Sequence, residues 1–470
     1  MPEILIVSDD IVGARMAGPG IRAWEIARSL SRKFAVKLAV PDFARSAEDE
    51  EFFRRASFET TFYKLGDAAF VRRLAEDSLI IVFQGFVLSK FPVLKNHGKY
   101  LIADIYDPFV LENLFIHQRK MENLGEREAV HLHDLRVFND ILLAADHFLC
   151  ASERQKDLFS GALMSLNRIT PQTLDADPDF SSLITVVPFG VADDRPRESG
   201  HSGTSDAPAF QSEFPLVEEK DVLLLCGGVL SNWFDPISLI RGFEAALREC
   251  PRIRLLFLST VHPNPLLPPF EAAADARFLA AERGLLGKSV FFREGWVPYD
   301  RRADYFERAD IGLSIHRTHF ETRYAFRTRI LDYLKFGIPV LCTEGDYFAQ
   351  LVSAESLGEV VRSENVDDIR AAISRLAADP ALRSRMKANI RRIRERYAWE
   401  RVTEPLARHC EKVLSGSAGA GGKPGKREVA YITGGIPDSA LRRGGKKLLG
   451  MNSAKVPRGF AARLRRMLRI

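Results

Sequence analysis

The sequence has little of what would place it in a membrane or a metal site. Apolar runs such as Ile141–Ala145 and Val222–Cys226 fall far short of the about 20 residues that span a bilayer. The start, with a strand-like Glu3–Val7 followed by Asp9 and Asp10, lacks the basic opening and long apolar stretch of a secretory signal. Five cysteines (Cys150, Cys226, Cys250, Cys342, Cys410) lie far apart with no CxxC pair. They read as reduced, buried thiols of a cytoplasmic protein rather than a disulfide framework or metal site. HExxH, Cys/His ligand spacing, a Walker loop and a GxSxG elbow are all missing. Metal is therefore not expected.

The composition is that of a soluble globular chain: 470 residues, 46% hydrophobic and 27% charged. The net charge of +5 hides an asymmetry. Residues 416–470 carry 13 Lys and Arg against two acids, a net +11, which leaves −6 for the rest. With the Gly-rich stretch Ser415–Gly422, the segment 415–470 reads as a basic, flexible tail. Its end, Gly459–Ile470, spaces Phe460, Leu464, Met467 and Leu468 near helical periodicity among arginines, a pattern that suits an anionic membrane surface. A solvated tail is the alternative, and nucleic acid is disfavoured.

The hydrophobic pattern alternates strand and helix. Strand-length apolar runs are Ile4–Ser8, Ala35–Val40, Leu79–Phe83, Tyr100–Asp104, Phe148–Ala151 and Ile184–Pro188, with helices between them, the longest around Gln118–Ala145. After a Ser-, Gly- and Pro-rich break the rhythm resumes at Val222–Cys226, Arg254–Ser259, Ser289–Arg293, Ile311–Ser314, Pro339–Thr343 and Gly358–Val361. The spacing predicts helices over Ile21–Ser31, Pro236–Glu249, Thr328–Phe336, 366–377 and 381–397. This is an α/β chain of two doubly wound Rossmann-like domains. The expected division is 1–192, a linker at 193–218, a second domain at 219–396, a helix at 397–414 crossing back to the first, and the tail. Ligands of such sheets bind beyond the carboxyl ends of the strands, so the cleft between the domains is the expected site.

Four segments carry candidate chemistry. Gly18-Pro19-Gly20 precedes a helix and admits either a turn or a ligand loop. In CGGVLSNWFD, Gly227 and Gly228 follow a strand, and Asn232, Trp233 and Asp235 precede a helix. A phosphate or sugar fits that helix start, although Asp235 before Pro236 is also an ordinary helix cap. HRTHFETRYAFRTRILD, His316–Asp332, holds Arg317, Arg323, Arg327 and Arg329 with Glu321 and Asp332. Clustered guanidinium at a helix start suits a diphosphate, and the two acids suit sugar and ribose hydroxyls. ADIYDP, Ala103–Pro108, ends a strand and offers Asp104 or Asp107 to a hydroxyl or to a turn. His117, His131 and His133 read as surface or packed histidines.

Together these segments resemble the GT-B-fold glycosyltransferases, specifically the retaining family 4. The resemblance runs from about Glu3 to Leu414 and is carried by Met16–Leu30, Val186–Val191, Cys226–Pro236, Arg293–Pro298 and Glu321–Asp346. It implies a nucleotide-sugar donor held by the second domain, a glycan or lipid-linked acceptor held by the first, no metal or other cofactor, and a cytoplasmic enzyme that can contact the inner membrane face through its basic tail. Cell-envelope polysaccharide synthesis is the implied setting. By resemblance, Asp332 takes the place of the second acid of an E-x7-E motif, on the ribose, and Glu321 the first, on the transferred sugar. Trp296 and Val297 fall in the loop lining the base, and Gly18 and Gly20 in the loop near the diphosphate. Glu321 and Asp332 are 11 residues apart rather than eight, and Arg329 occupies the eight-residue offset. The family's Arg and Lys after the first strand of the second domain are not evident, so Arg323, Arg327 or Arg329 is expected to replace them. Its catalytic-region His is replaced by Tyr106, with Asp107 beside it. A non-catalytic sugar-nucleotide or glycan binder and a nucleotide-sugar epimerase are the competing readings.

Overall fold

A computed structural model describes residues 3–43, 45–96, 98–120, 123–192, 210–267 and 270–416. The basic tail from 417 onward, with its membrane expectation, and most of the linker lie outside these residues.

Seven parallel strands form the first sheet: β1 (Ile4–Val7), β2 (Val36–Pro41), β3 (Glu59–Tyr63), β4 (Ile80–Gln84), β5 (Tyr100–Asp104), β6 (His147–Cys150) and β7 (Ile184–Val186). Their order is β3-β2-β1-β4-β5-β6-β7. Six parallel strands form the second: β8 (Val222–Val229), β9 (Ile253–Ser259), β10 (Val290–Phe292), β11 (Ile311–Ser314), β12 (Val340–Thr343) and β13 (Gly358–Val361), in the order β10-β9-β8-β11-β12-β13. Ile4 pairs with Val36 on one side and Ile80 on the other. Parallel strands need helical crossovers and are covered on both faces, so most read as unbroken apolar runs. β1, β4, β11 and β12 are buried at every residue. The direction in which successive strands are added reverses between β1 and β4 and between β8 and β11, and these two switch points line the same cleft.

Three readings are corrected. β3, ETTFY, lies at the sheet edge with one fully buried residue, so it carries no apolar run to find. The long helix expected at Gln118–Ala145 is two helices, Phe109–Lys120 and Leu124–Ala144. The second restarts because the Asn123 side chain accepts from the N–H groups of Gly125 and Glu126, forming a new N-terminal cap. Among the cysteines, all free, Cys250 is half-buried rather than buried.

The domains share a core. Phe189, after β7, stacks on Phe326 of the second domain and leans on Trp399, each at 6.0 Å between ring centres. Trp399 opens the helix Trp399–Leu414, which packs on the first domain: Lys33 meets Glu404 and Glu411, and the Tyr100 hydroxyl meets His409 at 3.0 Å. Gly190 is required here, because a Cβ would sit 2.6 Å from the Trp399 ring. Phe210 and Phe214, from the end of the expected linker, pack on Tyr305 and Phe291.

Truncating Trp399, which is 1% exposed, removes the largest side chain at this junction. Trp399→Ala is expected to cost about 3–5 kcal/mol and Gly190→Ala about 1–3 kcal/mol, read as lowered urea midpoints.

Candidate functional site

Between the two switch points lies a cleft of about 1000 Å³. Gly18, Tyr106 and Asp107 line it from the first domain, and Gly228, Trp296, Glu321, Arg327, Arg329 and Asp332 from the second.

On the second-domain side β8 ends in Gly227-Gly228, with Gly228 at φ +71°. That left-handed backbone turns the chain into the cleft without a side chain in the way. The helix Arg329–Phe336 starts at the cleft, opposite the start of the helix Gly18–Leu30. A Cβ on Gly18 would lie 3.9 Å from the Thr328 hydroxyl, so the two helix N-termini nearly touch. The dipoles of both helices favour an anion at that point, with the Ile330 and Leu331 N–H groups already bonded to the Arg327 and Thr328 carbonyls.

Two guanidinium groups flank it. Arg329 lies flat over Phe234 at 3.6 Å and donates to the Val229 carbonyl at 2.8 Å and the Cys226 sulfur at 3.1 Å. Arg327 donates to Glu321 at 2.8 Å, and its buried Nε has no hydrogen-bond partner among the described residues. Both lie within hydrogen-bonding frameworks that fix their forks, the geometry that paired phosphate bonds need. Asp332 faces Arg302 at 3.5 Å, and burial raises its carboxyl against the pull of that guanidinium. Trp296 lies near Arg302, with the cation 5.3 Å from its ring centre, and near His262, which burial lowers to about 4.

Five candidates fall away from the cleft lining. Arg323 is exposed; only its backbone carbonyl is engaged, by Arg154. Val297 is 2% exposed and packs in the core beneath its loop. Asn232 is a strut whose side-chain oxygen accepts from the N–H of Ala272. Gly20 serves close packing, since a Cβ would sit 1.9 Å from the Ile11 carbonyl. Asp235 is a helix cap, accepting from the Ser238 N–H at 3.0 Å.

On the first-domain side the end of β5 is clamped. Arg22 donates to both oxygens of Asp104, at 2.6 and 2.8 Å, with both side chains fully buried. The same guanidinium lies 4.9 Å from the Tyr106 ring centre and 4.8 Å from that of Phe189. Tyr106 packs edge-on against Phe189, and burial pushes its phenol well above the usual range, so it is neutral. Asp107, next in the chain, faces Glu112 on the following helix. Burial raises Asp107 to about 6, with Glu321 adding to the rise and a hydrogen bond from Glu112 opposing it. Burial raises Glu112 well above the carboxylate range, and Asp107 and Glu321 push it further. Glu112 is therefore the protonated partner and donates to the Asp107 carboxylate.

These groups meet because the domains touch. The amide nitrogen of Gln155 donates to the carbonyls of Tyr106, at 2.7 Å, and Tyr324, at 2.8 Å, one in each domain. Asn264 donates to Asp10 at 2.6 Å, and His319, 3.6 Å from Glu321, stacks on Phe115 at 3.9 Å. Glu112, Asp10, Arg22 and Arg302 were not singled out as site residues from the sequence. Asp9-Asp10 directly after the first strand is the signal that could have found Asp10, because strand ends at a switch point face the ligand. Among the described residues no three His, Cys, Asp or Glu side chains are grouped to hold a metal ion, and no helix is long and apolar enough to cross a membrane.

A raised carboxyl stabilises the fold below its unfolded value, and that stability is lost as pH rises through the folded value. For Asp107 the window runs from its ordinary 3.8 to about 6. Asp107→Asn is expected to be more stable than wild type at pH 7, by roughly 1–2 kcal/mol. The gain should vanish below about pH 4, checked by thermal melts across pH.

Residues 272–408 match the family model described as glycosyl transferase-like. No curated protein matches the sequence. Solved structures match across nearly the whole described chain at low identity. Sucrose-phosphate synthase from Thermosynechococcus elongatus shares 14% identity over 89% of this chain and 100% of its own, with a TM-score of 0.57. WaaG, a glycosyltransferase involved in lipopolysaccharide biosynthesis, shares 14% over 88% and 100%, at 0.55. HepE of Anabaena, solved with UDP and glucose, shares 12% over 88% and 100%, at 0.59. The chain thus has the GT-B fold of these glycosyltransferases, two Rossmann-like domains facing across a cleft, and the family match lies mainly in the second of them.

Proposed function

We propose that this chain is a glycosyltransferase that moves a sugar from a nucleotide-diphosphate sugar to a glycan or lipid-linked acceptor, with retention at the anomeric carbon, as a member of family 4. The observation that carries the reading is that Arg327 and Arg329 line the same cleft as two helix N-termini that nearly meet, with Asp107 and Glu112 on its first-domain side. Transfer breaks the bond between the anomeric carbon and the diphosphate oxygen, and negative charge grows on the diphosphate. Fixed guanidinium groups and backbone N–H groups in a water-poor cleft stabilise that charge without reorganising. In this reading they take the place of a metal ion. Asp332 receives the ribose hydroxyls, Trp296 lies beside the base, and Glu321, held by Arg327, meets the transferred sugar. Asp107 lies at the reacting carbon from the acceptor side, with Tyr106 shaping the turn that presents it.

HepE, described in complex with UDP-glucose, supports a nucleotide sugar as the donor class. The role of WaaG in lipopolysaccharide synthesis and the basic tail support a cell-envelope polysaccharide setting, with the protein cytoplasmic and peripheral at the inner membrane face. Retention and the metal-free mechanism rest on the family resemblance.

A thermal-shift screen against UDP, GDP, dTDP, ADP and CMP is expected to pick out one nucleotide. Ligand at 100 times its Kd should stabilise the fold by about 2.7 kcal/mol. Arg329→Ala is expected to raise the donor KM or lower turnover tenfold or more, about 1.4 kcal/mol. Equal shifts for all five nucleotides, or wild-type kinetics in the variant, would count against the assignment.

A further inference from the structure

The acceptor side of the cleft has a chemical character that the donor reading does not use. Resting on that reading, we propose that the acceptor is an uncharged, hydroxyl-bearing sugar joined to an apolar group, and not a phosphorylated sugar.

Two sets of residues carry this. The first is a polar wall along the ends of β1, β4 and β5 and the helix after β5: Asp9, Asp10, Gln84 and Asp107 offer acceptor oxygens, and the protonated Glu112 lies beside Asp107, all lining the cleft. Gln84 is 3% exposed; its amide nitrogen donates to Asp104 at 3.2 Å, and its buried oxygen has no hydrogen-bond partner among the described residues. A buried oxygen without a donor is costly, and a ligand hydroxyl satisfies it. The cations that line the first-domain side are paired already: Lys90 with Asp9 at 2.6 Å, Arg28 with Glu25 at 2.8 Å, and Arg55 with Glu51 at 2.5 Å. A phosphate placed here meets like charge and finds its counter-cations engaged, which excludes it by repulsion and desolvation.

The second set is apolar. Phe86, Phe109 and Ile116 line the cleft from the first domain, and Leu266, Leu267 and Phe270 from the second. Leu266 is 61% exposed and Leu267 44%. The Asp10–Asn264 bond ties their loop to the acceptor wall, so the apolar flank is continuous with the polar floor. An acceptor with a sugar head and an apolar aglycone covers both surfaces at once.

The test uses the full chain saturated with the nucleotide found by the screen, which occupies the diphosphate site. Binding of methyl, phenyl and n-octyl β-d-glucosides and of glucose 6-phosphate is followed by tryptophan fluorescence, with octyl glucoside kept below its micelle concentration. The expected order is octyl or phenyl at least tenfold tighter than methyl, and glucose 6-phosphate weaker than methyl. Phenyl above octyl identifies an aryl aglycone, and the reverse an alkyl one. Gln84→Leu is expected to weaken all three glucosides. Leu266→Ser with Leu267→Ser, both exposed and tolerant positions, should remove only the gain from the apolar group. Binding of glucose 6-phosphate equal to or tighter than the methyl glucoside, no gain from the apolar group, or no glucoside binding at all would overturn the proposal. Failure of any nucleotide to bind sinks the donor reading instead, so the two failures are distinct.

Discussion

The buried pair of Arg22 and Asp104 is the constraint on which the cleft depends. Two charges taken fully out of water are held by a bidentate bond, with Gln84 adding a third donor to the same carboxylate. Removing one partner of such a pair costs about 3–5 kcal/mol, because the other charge stays buried. The pair joins the helix Gly18–Leu30 to the end of β5. It thereby fixes both the helix start that faces Arg329–Phe336 and the turn that carries Asp107. The guanidinium also packs against Phe189, which stacks on Phe326, the neighbour of Arg327. One cation in the first domain therefore reaches, through two aromatic rings, the arginine that holds Glu321.

The cleft is divided by charge. The second-domain wall concentrates guanidinium groups, the first-domain wall carboxylates, and each contributes one helix N-terminus. Desolvation acts on both, but with different results. Arg327 answers it by pairing with Glu321. Asp107 and Glu112 answer it by sharing a proton, which lets two half-buried carboxyl groups sit side by side. The division suits a reaction in which negative charge moves toward one wall while a hydroxyl proton is released near the other.

Much of the fold was legible because parallel strands covered on both faces must be apolar throughout, so β1, β4, β8 and β11 stand out as short greasy runs. β3 was not, since an edge strand with threonines and one buried tyrosine has no such run. Of the site, Arg327 and Arg329 were legible as cations at a helix start, and Asp332 one turn further on. Arg323 looked the same in sequence, yet it falls on a 3-10 turn that points it to solvent. Glu112 was hidden because its tie to Asp107 depends on the turn at Pro108, and its approach to Glu321 exists only where the two domains meet. Gln84 was hidden for a plainer reason: a polar residue ending a buried strand has no local mark that separates a loose end from a ligand contact.

Gln155 gives the closed cleft a particular mechanical character. A single amide nitrogen, rooted in the first domain, is shared between a carbonyl of its own domain and one of the other. Hydrogen bonds weaken steeply with distance and angle, so a small rotation of the second domain breaks the Tyr324 bond while leaving the Tyr106 bond intact. The side chain does not stretch; it either latches both walls or only one. Joined to the Asp10–Asn264 and Arg154–Gly345 bonds, this makes domain opening a step rather than a slope. The closed cleft is thus held by a few directional bonds that an opening rotation has to break together.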